Sequence, residues 1–345
     1  MEYRLLGRTG LKISSYTLGT GNFGEWGNAN TEDCIRIVDA ALEKGVNIID
    51  TADVYSAGRS EEIVGEALKG RREQIILATK VGNPMGKGLH ERGNSRLWIR
   101  RAVENSLRRL QTDYIDLYQL HRPDLNTDLE ETLDVLTDLV REGKIRYFGS
   151  STFQAWQLAE AQRISDRRNL LRFSSEQPPY SIINRAIELD VLEAARKYEL
   201  GILIWSPMSG GLLSGRYTQG EKAPEGSRAQ KFQGHFMGKI VDPTREENKV
   251  KFEVIKQLQT IANDAGLTLG HMAMAFTQAH PGVTSTIIGP RTVEQLEDSL
   301  QAATISLTSD VLDAIDAIVP PGITLDDLER GWTPDWLDVT RRRRF

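Results

Sequence analysis

Short apolar runs that do not alternate recur along this chain, and segments of helical period separate them. The runs are Asn47–Thr51, Ile75–Val81, Tyr114–Leu120, Ile145–Ser150, Gly201–Trp205 and Thr284–Ile288. A strand that is apolar at successive positions must be covered on both faces, as in a parallel sheet. Tyr16–Gly19 supplies a first strand, and a weaker Phe173–Gln177 falls at the right interval. Between them, Ile99, Val103, Leu107 and Leu110 share one helix face behind Ser95 as N-cap, and Leu129, Leu133, Leu136 and Val140 another behind Asp128. Val191, Leu192 and Ala195 mark a third stripe. Eight strands spaced mostly ~30 residues apart, with no break in composition, predict one (β/α)₈ TIM barrel of ~250 residues plus additions.

The 345 residues are therefore read as a single domain, residues 1–345. A β-hairpin occupies 1–14, the barrel 15–318 and a C-terminal tail 319–345. Residues 207–246 lack periodicity and follow the seventh strand, where barrel loops build active sites. Arg341–Arg344, at the end of the tail, read as a solvated terminus. The hydrophobic set is 39% and 30 glycines accompany it, enough for a large core. Forty-three Lys and Arg against 48 Asp and Glu leave a net charge of −5, which argues against a nucleic-acid partner. The single cysteine, Cys34, excludes an intrachain disulfide and reads as a helix residue at the core. No apolar run approaches the ~20 residues of a membrane span, and Met1–Arg4 does not open a signal peptide. A cytoplasmic enzyme with no membrane partner is expected.

Two glycine motifs fail on context. Gly19-Thr20-Gly21-Asn22-Phe23-Gly24 has dinucleotide-fingerprint spacing, but that motif needs its third glycine to open a helix, and helical pattern resumes only near Glu32. Gly82-Asn83-Pro84-Met85-Gly86-Lys87-Gly88 is one residue short of a phosphate loop and lacks the hydroxyl residue after Lys87. The five histidines show no ligand spacing, so no metal is expected.

Three strand ends carry chemistry. Asp50 ends one strand with Tyr55 in the loop beyond, Lys80 interrupts an otherwise apolar strand, and His121 ends a third. In a parallel barrel all four converge on the C-terminal face. A buried ammonium is costly unless paired, and Asp50 is the available partner. A cation beside a phenol stabilises the charge left when the proton departs, which suits Tyr55 to general-acid work. His121 would orient a substrate oxygen or share the proton transfer.

Asp50-Thr51-Ala52-x-x-Tyr55, Thr79-Lys80 and Leu120-His121-Arg122-Pro123 resemble the catalytic motifs of the aldo-keto reductase family, and the likeness runs from the Tyr3–Ser14 hairpin to about Leu300. The resemblance implies carbonyl reduction with NADP(H), Tyr55 as proton donor, Lys80 and Asp50 as its tuning pair, and His121 at the substrate oxygen. Trp205-Ser206-Pro207-Met208 and Gly211-Leu212-Leu213-Ser214-Gly215-Arg216-Tyr217 are similar to the branch holding bacterial reductases and potassium-channel beta subunits. By the same resemblance, Gly21, Asn22 and Asp50 lie near the nicotinamide ribose. Ser151 and Thr152 stand where a Ser-Asn pair holds the carboxamide, Thr152 being a departure. Gln177 also faces the carboxamide and Trp205 stacks on the ring. Ser206, Pro207, Met208, Leu212 and Arg216 follow the cofactor along the loop.

Gly289, Arg291, Gln295, Asp298 and Ser299 belong to its adenine end, Ser299 replacing a longer asparagine. Thr292 and Gln295 have capping-box spacing, and a capped helix N-terminus presents free N–H groups to a phosphate. Arg291 adds a cationic fork suited to a 2′-phosphate. Two functions stay open: an NADP-dependent enzyme acting on a small carbonyl compound, and a non-catalytic, cofactor-sensing regulatory subunit. The candidate pocket walls are Phe23, Trp26, Tyr55, the 207–246 loop and the tail around Trp332 and Trp336.

Overall fold

The computed structural model describes residues 1–332; Trp336 and Arg341–Arg344 lie outside the described residues. Strands β1 (Tyr3–Leu5) and β2 (Lys12–Ser14) pair antiparallel as the expected hairpin. Eight parallel strands then close on themselves: β3 (Tyr16–Gly19), β4 (Ile48–Asp50), β5 (Ile76–Val81), β6 (Ile115–Leu120), β7 (Ile145–Ser151), β8 (Ser175–Gln177), β9 (Gly201–Ile204) and β10 (Ser285–Ile288). β10 returns to pair with β3, so the fold is a (β/α)₈ barrel with an N-terminal hairpin. All eight expected strands are present, with ends shifted by no more than two residues.

The helices form where the sequence caps them. Helix α1 (Thr31–Glu43) starts behind Asn30, and its buried face carries Cys34, Ile37, Val38 and Ala41. Helix α2 spans Arg59–Ala67. Ser95 accepts from the Trp98 amide at the head of α3 (Arg96–Leu110). Asp128 accepts from the Glu130 amide at the head of α4 (Leu129–Arg141). Helices α5 (Ala155–Arg168) and α6 (Val191–Tyr198) continue the ring. After β9 come α7 (Lys249–Asp264) and α8 (Leu269–Ala279), and after β10 come α9 (Val293–Gln301) and α10 (Ser309–Ile318). The extra helices α7 and α10 pack on each other.

Side chains two residues apart on a strand share a face. Along the barrel interior this produces two layers of opposite character. Ile48, Ala78 and Leu117 form an apolar cluster with Leu203 and Ile287, closed by Leu6 and Ile13 of the hairpin. Two positions further on stand Asp50, Lys80 and Gln119, buried as well. The hairpin seals the N-terminal end, and the polar layer lies toward the C-terminal one.

The 207–246 segment is not featureless. It carries a 3₁₀ turn at Ser209–Ser214 and one-turn helices at Arg228–Lys231 and Phe236–Lys239. It crosses the C-terminal face: Arg291 Nη1 donates to the Gly226 carbonyl at 2.7 Å and Lys231 Nζ to that of Gly27 at 2.9 Å. The tail docks as far as it is described. Arg185 N donates to Ile323 O, Leu325 N to Ile183 O, and Asn184 Nδ2 to Glu329 O. Lys251, 1% exposed, ion-pairs with Asp326 at 2.5 Å and Glu329 at 2.9 Å, and Ser209 donates to Glu329. A Cβ on Gly331 would stand 2.7 Å from Trp205 Cζ2, so the tail packs against the benzo end of that indole.

Helices α2 and α3 touch at Gly65, where a Cβ would meet Arg109 O at 2.6 Å and Leu110 O at 2.7 Å. Alanine is the better helix former by ~1 kcal/mol, whereas forcing a methyl into a filled contact costs ~1–3 kcal/mol. Gly65→Ala is expected to destabilise the fold by about 1–2 kcal/mol, read as a lower denaturant midpoint at an unchanged m-value. A raised midpoint would show that the two helices separate freely.

Candidate active site

Lys80 Nζ is the hub of the polar layer. It donates to Asp50 Oδ2 at 2.5 Å, to the Thr51 carbonyl at 2.8 Å and to the Tyr55 hydroxyl at 3.2 Å. Asp50 is answered a second time: its Oδ1 accepts from Gln119 Nε2 at 3.1 Å and Gln177 Nε2 at 2.9 Å. Gln177 also donates to Gln119 Oε1 at 3.1 Å. Strand register sets this up, because Lys80 pairs with Gln119 across β5 and β6, and Asp50 with Ala78 across β4 and β5.

Tyr55 opens a tight turn in which Ser56 (φ 47°) and Ala57 (φ 54°) both occupy the left-handed region. Such backbone persists where its surroundings over-determine it. Here the Ser56 hydroxyl donates to Phe23 O at 2.9 Å and accepts from the Trp26 amide at 3.3 Å. The Tyr55 ring lies edge-on to His121 with centroids 5.8 Å apart and tilted to Trp26 at 6.0 Å. The four sequence-predicted catalytic side chains are thus brought together, with Trp26 beside them.

Burial opposes the Lys80 ammonium, but Asp50 and then Tyr55 more than offset it, and its pKa is held above the ordinary value. His121 moves the other way. Burial, then the Arg122 and Lys80 cations, push it well below its usual range, so the ring is neutral at pH 7. Its Nδ1 is buried and has no hydrogen-bond partner among the described residues.

The remaining predicted residues are spread over strand ends, loops and helix α9 around the C-terminal face. A Cβ on Gly21 would stand 3.6 Å from the Tyr55 ring. Asn22 Nδ2 donates to Gly289 O at 2.6 Å and Asn28 Nδ2 to Arg291 O at 2.9 Å, tying the first barrel loop to the last. The Ser151 hydroxyl donates to Gln177 O at 2.8 Å and that of Thr152 to Ser151 O at 2.6 Å. Thr152 sits at φ 59°, a conformation a β-branched residue rarely adopts. Trp205, Ser206, Pro207 and Met208 follow the end of β9. Leu212 is 1% exposed in the hydrophobic core, so its side chain is not free to face a ligand.

At the other end, Thr292 caps α9 by accepting from Gln295 N. Gln295 Oε1 accepts from the Arg291 amide rather than from Thr292, so the capping box is displaced by one residue. Asp298 is paired with His271 at 3.0 Å, and the Ser299 hydroxyl donates to Gln295 O within its own helix. These two side chains are engaged away from Arg291.

The structure adds residues that the sequence reading did not single out. Gln119 lies two positions before His121, so period-two alternation could have placed it inward. Arg228 stands in the crossing loop; burial, opposed by the Tyr217 hydroxyl and reinforced by the Arg291 cation, lowers its pKa. No ion pair holds Arg216, Arg228 or Arg291 among the described residues. Glu176 alternates with Gln177 and so faces outward. It accepts from the Ser150 hydroxyl at 2.5 Å and the Phe153 amide at 3.1 Å, and burial pushes its pKa up to about 8.

Comparison with known proteins agrees with this geometry. The profile described as the aldo/keto reductase family matches residues 16–320. An uncharacterized oxidoreductase of Bacillus subtilis, YrpG, is 39% identical over 334 residues, covering 93% of this chain and 97% of its own. A putative voltage-gated potassium channel subunit beta of Schizosaccharomyces pombe is 34% identical, covering 92% of this chain and 93% of its own. A probable subunit of the same description from Oryza sativa subsp. japonica is 33% identical, covering 92% and 97%.

Glu176 generates a pH prediction. Its folded pKa is raised above the unfolded value of 4.5, so the folded state binds the extra proton between 4.5 and about 8. The stability this supports is present below that window and is lost as pH rises through it. Glu176→Gln is expected to flatten the stability–pH curve between pH 5 and 8, removing a slope of up to about 1.4 kcal/mol per pH unit. Denaturant unfolding at stepped pH measures it, and parallel curves would exclude Glu176 as the source.

Proposed function

The chain belongs to the aldo/keto reductase family, and from that premise we propose that it is a cytoplasmic NADP(H)-dependent enzyme reducing aldehyde and ketone carbonyls, or oxidising the corresponding alcohols. One observation carries the reading: Lys80 Nζ is bonded at once to Asp50 Oδ2 and to the Tyr55 hydroxyl. That is a proton donor with a fixed cation behind it.

The C-terminal face fits a phosphorylated dinucleotide. Arg216, Arg228 and Arg291 bring three cations together with no ion-pair partner among the described residues. Burial and the neighbouring Arg216 lower the pKa of Arg291, a cost that a bound phosphate would offset. Arg291 and the capped N-terminus of α9 would hold the 2′-phosphate, Arg216 and Arg228 the bridging phosphates, and Trp205 would offer its face to the nicotinamide. When bound, the reduced nicotinamide supplies the hydride that the carbonyl carbon accepts.

The chain's own part is proton handling and orientation. Tyr55 gives its hydroxyl proton to the carbonyl oxygen as negative charge develops there. Lys80 stabilises the phenolate left behind, and Asp50, held by Gln119 and Gln177, keeps Lys80 charged and in place. His121, neutral, hydrogen-bonds the substrate oxygen and orients it toward Tyr55. The relatives named as channel beta subunits favour a second reading, a non-catalytic, cofactor-sensing regulatory subunit.

Tyr55→Phe is expected to bind NADPH as wild type does and to lose carbonyl reduction by ~10²–10⁴-fold. Steady-state oxidation of NADPH across a panel of aldehydes and ketones decides it. A wild-type chain that binds NADPH yet reduces none of them would support the regulatory reading. Arg291→Ala is expected to weaken NADPH by about tenfold or more while sparing NADH, since a charge-assisted hydrogen bond is worth ~1.5–3 kcal/mol. Fluorescence titration with both cofactors measures this, and an equal loss for both would place the 2′-phosphate elsewhere.

A further inference from the structure

Arg122 follows His121 directly, yet the proton-transfer constellation makes no use of its side chain. Its Nη1 donates to the His121 carbonyl at 2.5 Å. Its guanidinium lies over the Trp205 ring, 5.6 Å from the centroid. It is near enough to Tyr55 for their charges to be felt. Among the described residues no carboxylate forms an ion pair with it. Among the described residues Glu176 is the acidic side chain near enough to act on it, and Glu176 is held by the Ser150 hydroxyl and the Phe153 amide.

Arg122 also lines a cavity of about 500 Å³ between the loops after β5 and β6. Pro84, Leu89, His90, Arg92 and Asn94 share its walls. Its acidic member is Asp124, whose oxygens already accept from the Asn94 and Asn126 amides and the Thr127 hydroxyl. The cavity is large enough for a small substrate. Arg122 is the member of this wall that also reaches Trp205 and the surroundings of Tyr55, and Arg92 is a second arginine further along it.

We propose that Arg122 selects substrates carrying an anionic group, a carboxylate or a phosphate, a few bonds from the carbonyl, and that it holds that group in the cavity between the two loops. The proposal rests on the carbonyl-reductase reading of the same site. A guanidinium takes either anion through two parallel hydrogen bonds, and its reach from His121 fixes the anion at one side of the carbonyl. The competing role is structural, in which Arg122 merely steadies Trp205 by stacking. That role would affect charged and uncharged substrates alike.

The test compares 4-carboxybenzaldehyde with 4-methylbenzaldehyde, similar in shape and different in charge, in the wild type, Arg122→Met and Arg122→Lys. The wild type is expected to favour the carboxylate in kcat/KM by about tenfold or more, mainly through KM. Arg122→Met should bring the ratio close to one, and Arg122→Lys should keep part of the preference. A ratio near one in the wild type, or one unchanged in Arg122→Met, overturns the proposal. Tryptophan fluorescence titration of the NADP⁺ complex with benzoate, phenyl phosphate and benzyl alcohol supplies a readout independent of turnover. Saturation by either anion that is lost in Arg122→Met supports the proposal, and the tighter of the two names the substrate's anion. If aldehydes are reduced but benzoate and phenyl phosphate bind Arg122→Met as well as wild type, the proposal fails and the reductase reading stands. If the anions bind through Arg122 and no aldehyde is reduced, the reductase reading fails instead.

Discussion

An ammonium group enclosed by eight strands has to be answered where it stands, and Lys80 imposes that condition on the upper half of the barrel. Removing one partner of a buried pair costs ~3–5 kcal/mol, because the other charge stays behind unpaired. The chain meets the condition with Asp50 on one side and Tyr55 and the Thr51 carbonyl on the other. Asp50 in turn holds Gln119 and Gln177, so a single charge organises side chains from β4, β5, β6 and β8. One layer below, Ile48, Ala78 and Leu117 require nothing of the kind. The interior therefore changes from a packed oil-like layer to a hydrogen-bonded one within two residues of each strand, and the second layer is where the chemistry stands.

The electrostatics divide the C-terminal face into two districts. Around Lys80 the ammonium is matched by Asp50, and its hydrogen bonds are directed to Asp50, Tyr55 and the Thr51 carbonyl. Further out, Arg216, Arg228 and Arg291 crowd one another with no ion-pair partner among the described residues, and Arg122 stands in a similar state beside Trp205. Uncompensated cations in a fold of net charge −5 are a local choice and not a reflection of overall composition. They fit bound anions better than they serve the folded chain alone.

Much of this was legible in the sequence, for identifiable reasons. Buried parallel strands leave short apolar runs at regular intervals, and all eight were found. Asp50, Tyr55, Lys80 and His121 were legible because charged or polar residues ending such runs have few places to go. Gln119 carried the same signal, two positions from His121, and went unread. Other features depend on contacts between distant segments. Arg228 lies in a loop with no period, and its position follows from the crossing that ends at Gly27 and Gly226. Leu212 sits in a motif similar to cofactor-binding branches, yet its side chain is buried, which spacing alone does not reveal. The same holds for Gln295, whose amide reaches Arg291 instead of its own cap, and for Thr152, whose left-handed backbone is set by its neighbours.

The seam between β10 and β3 joins residues at opposite ends of the barrel sequence, Thr286 with Tyr16 and Ile288 with Leu18. Asn22 to Gly289 and Asn28 to Arg291 fasten the same seam at the rim. Every other neighbouring pair of barrel strands is consecutive in the chain. During synthesis, then, β3 is among the first strands to leave the ribosome and the last to gain its second neighbour. Its outer edge stays open while the rest of the barrel is made, and an open edge is a template for pairing with the wrong strand. Only when Ser285–Ile288 arrives can the ring shut, and the contact between the first and last loops comes into being in that same closing event. A nascent chain shorter than that has Lys80, Asp50, Tyr55 and His121 in hand, but no enclosed interior in which to hold them.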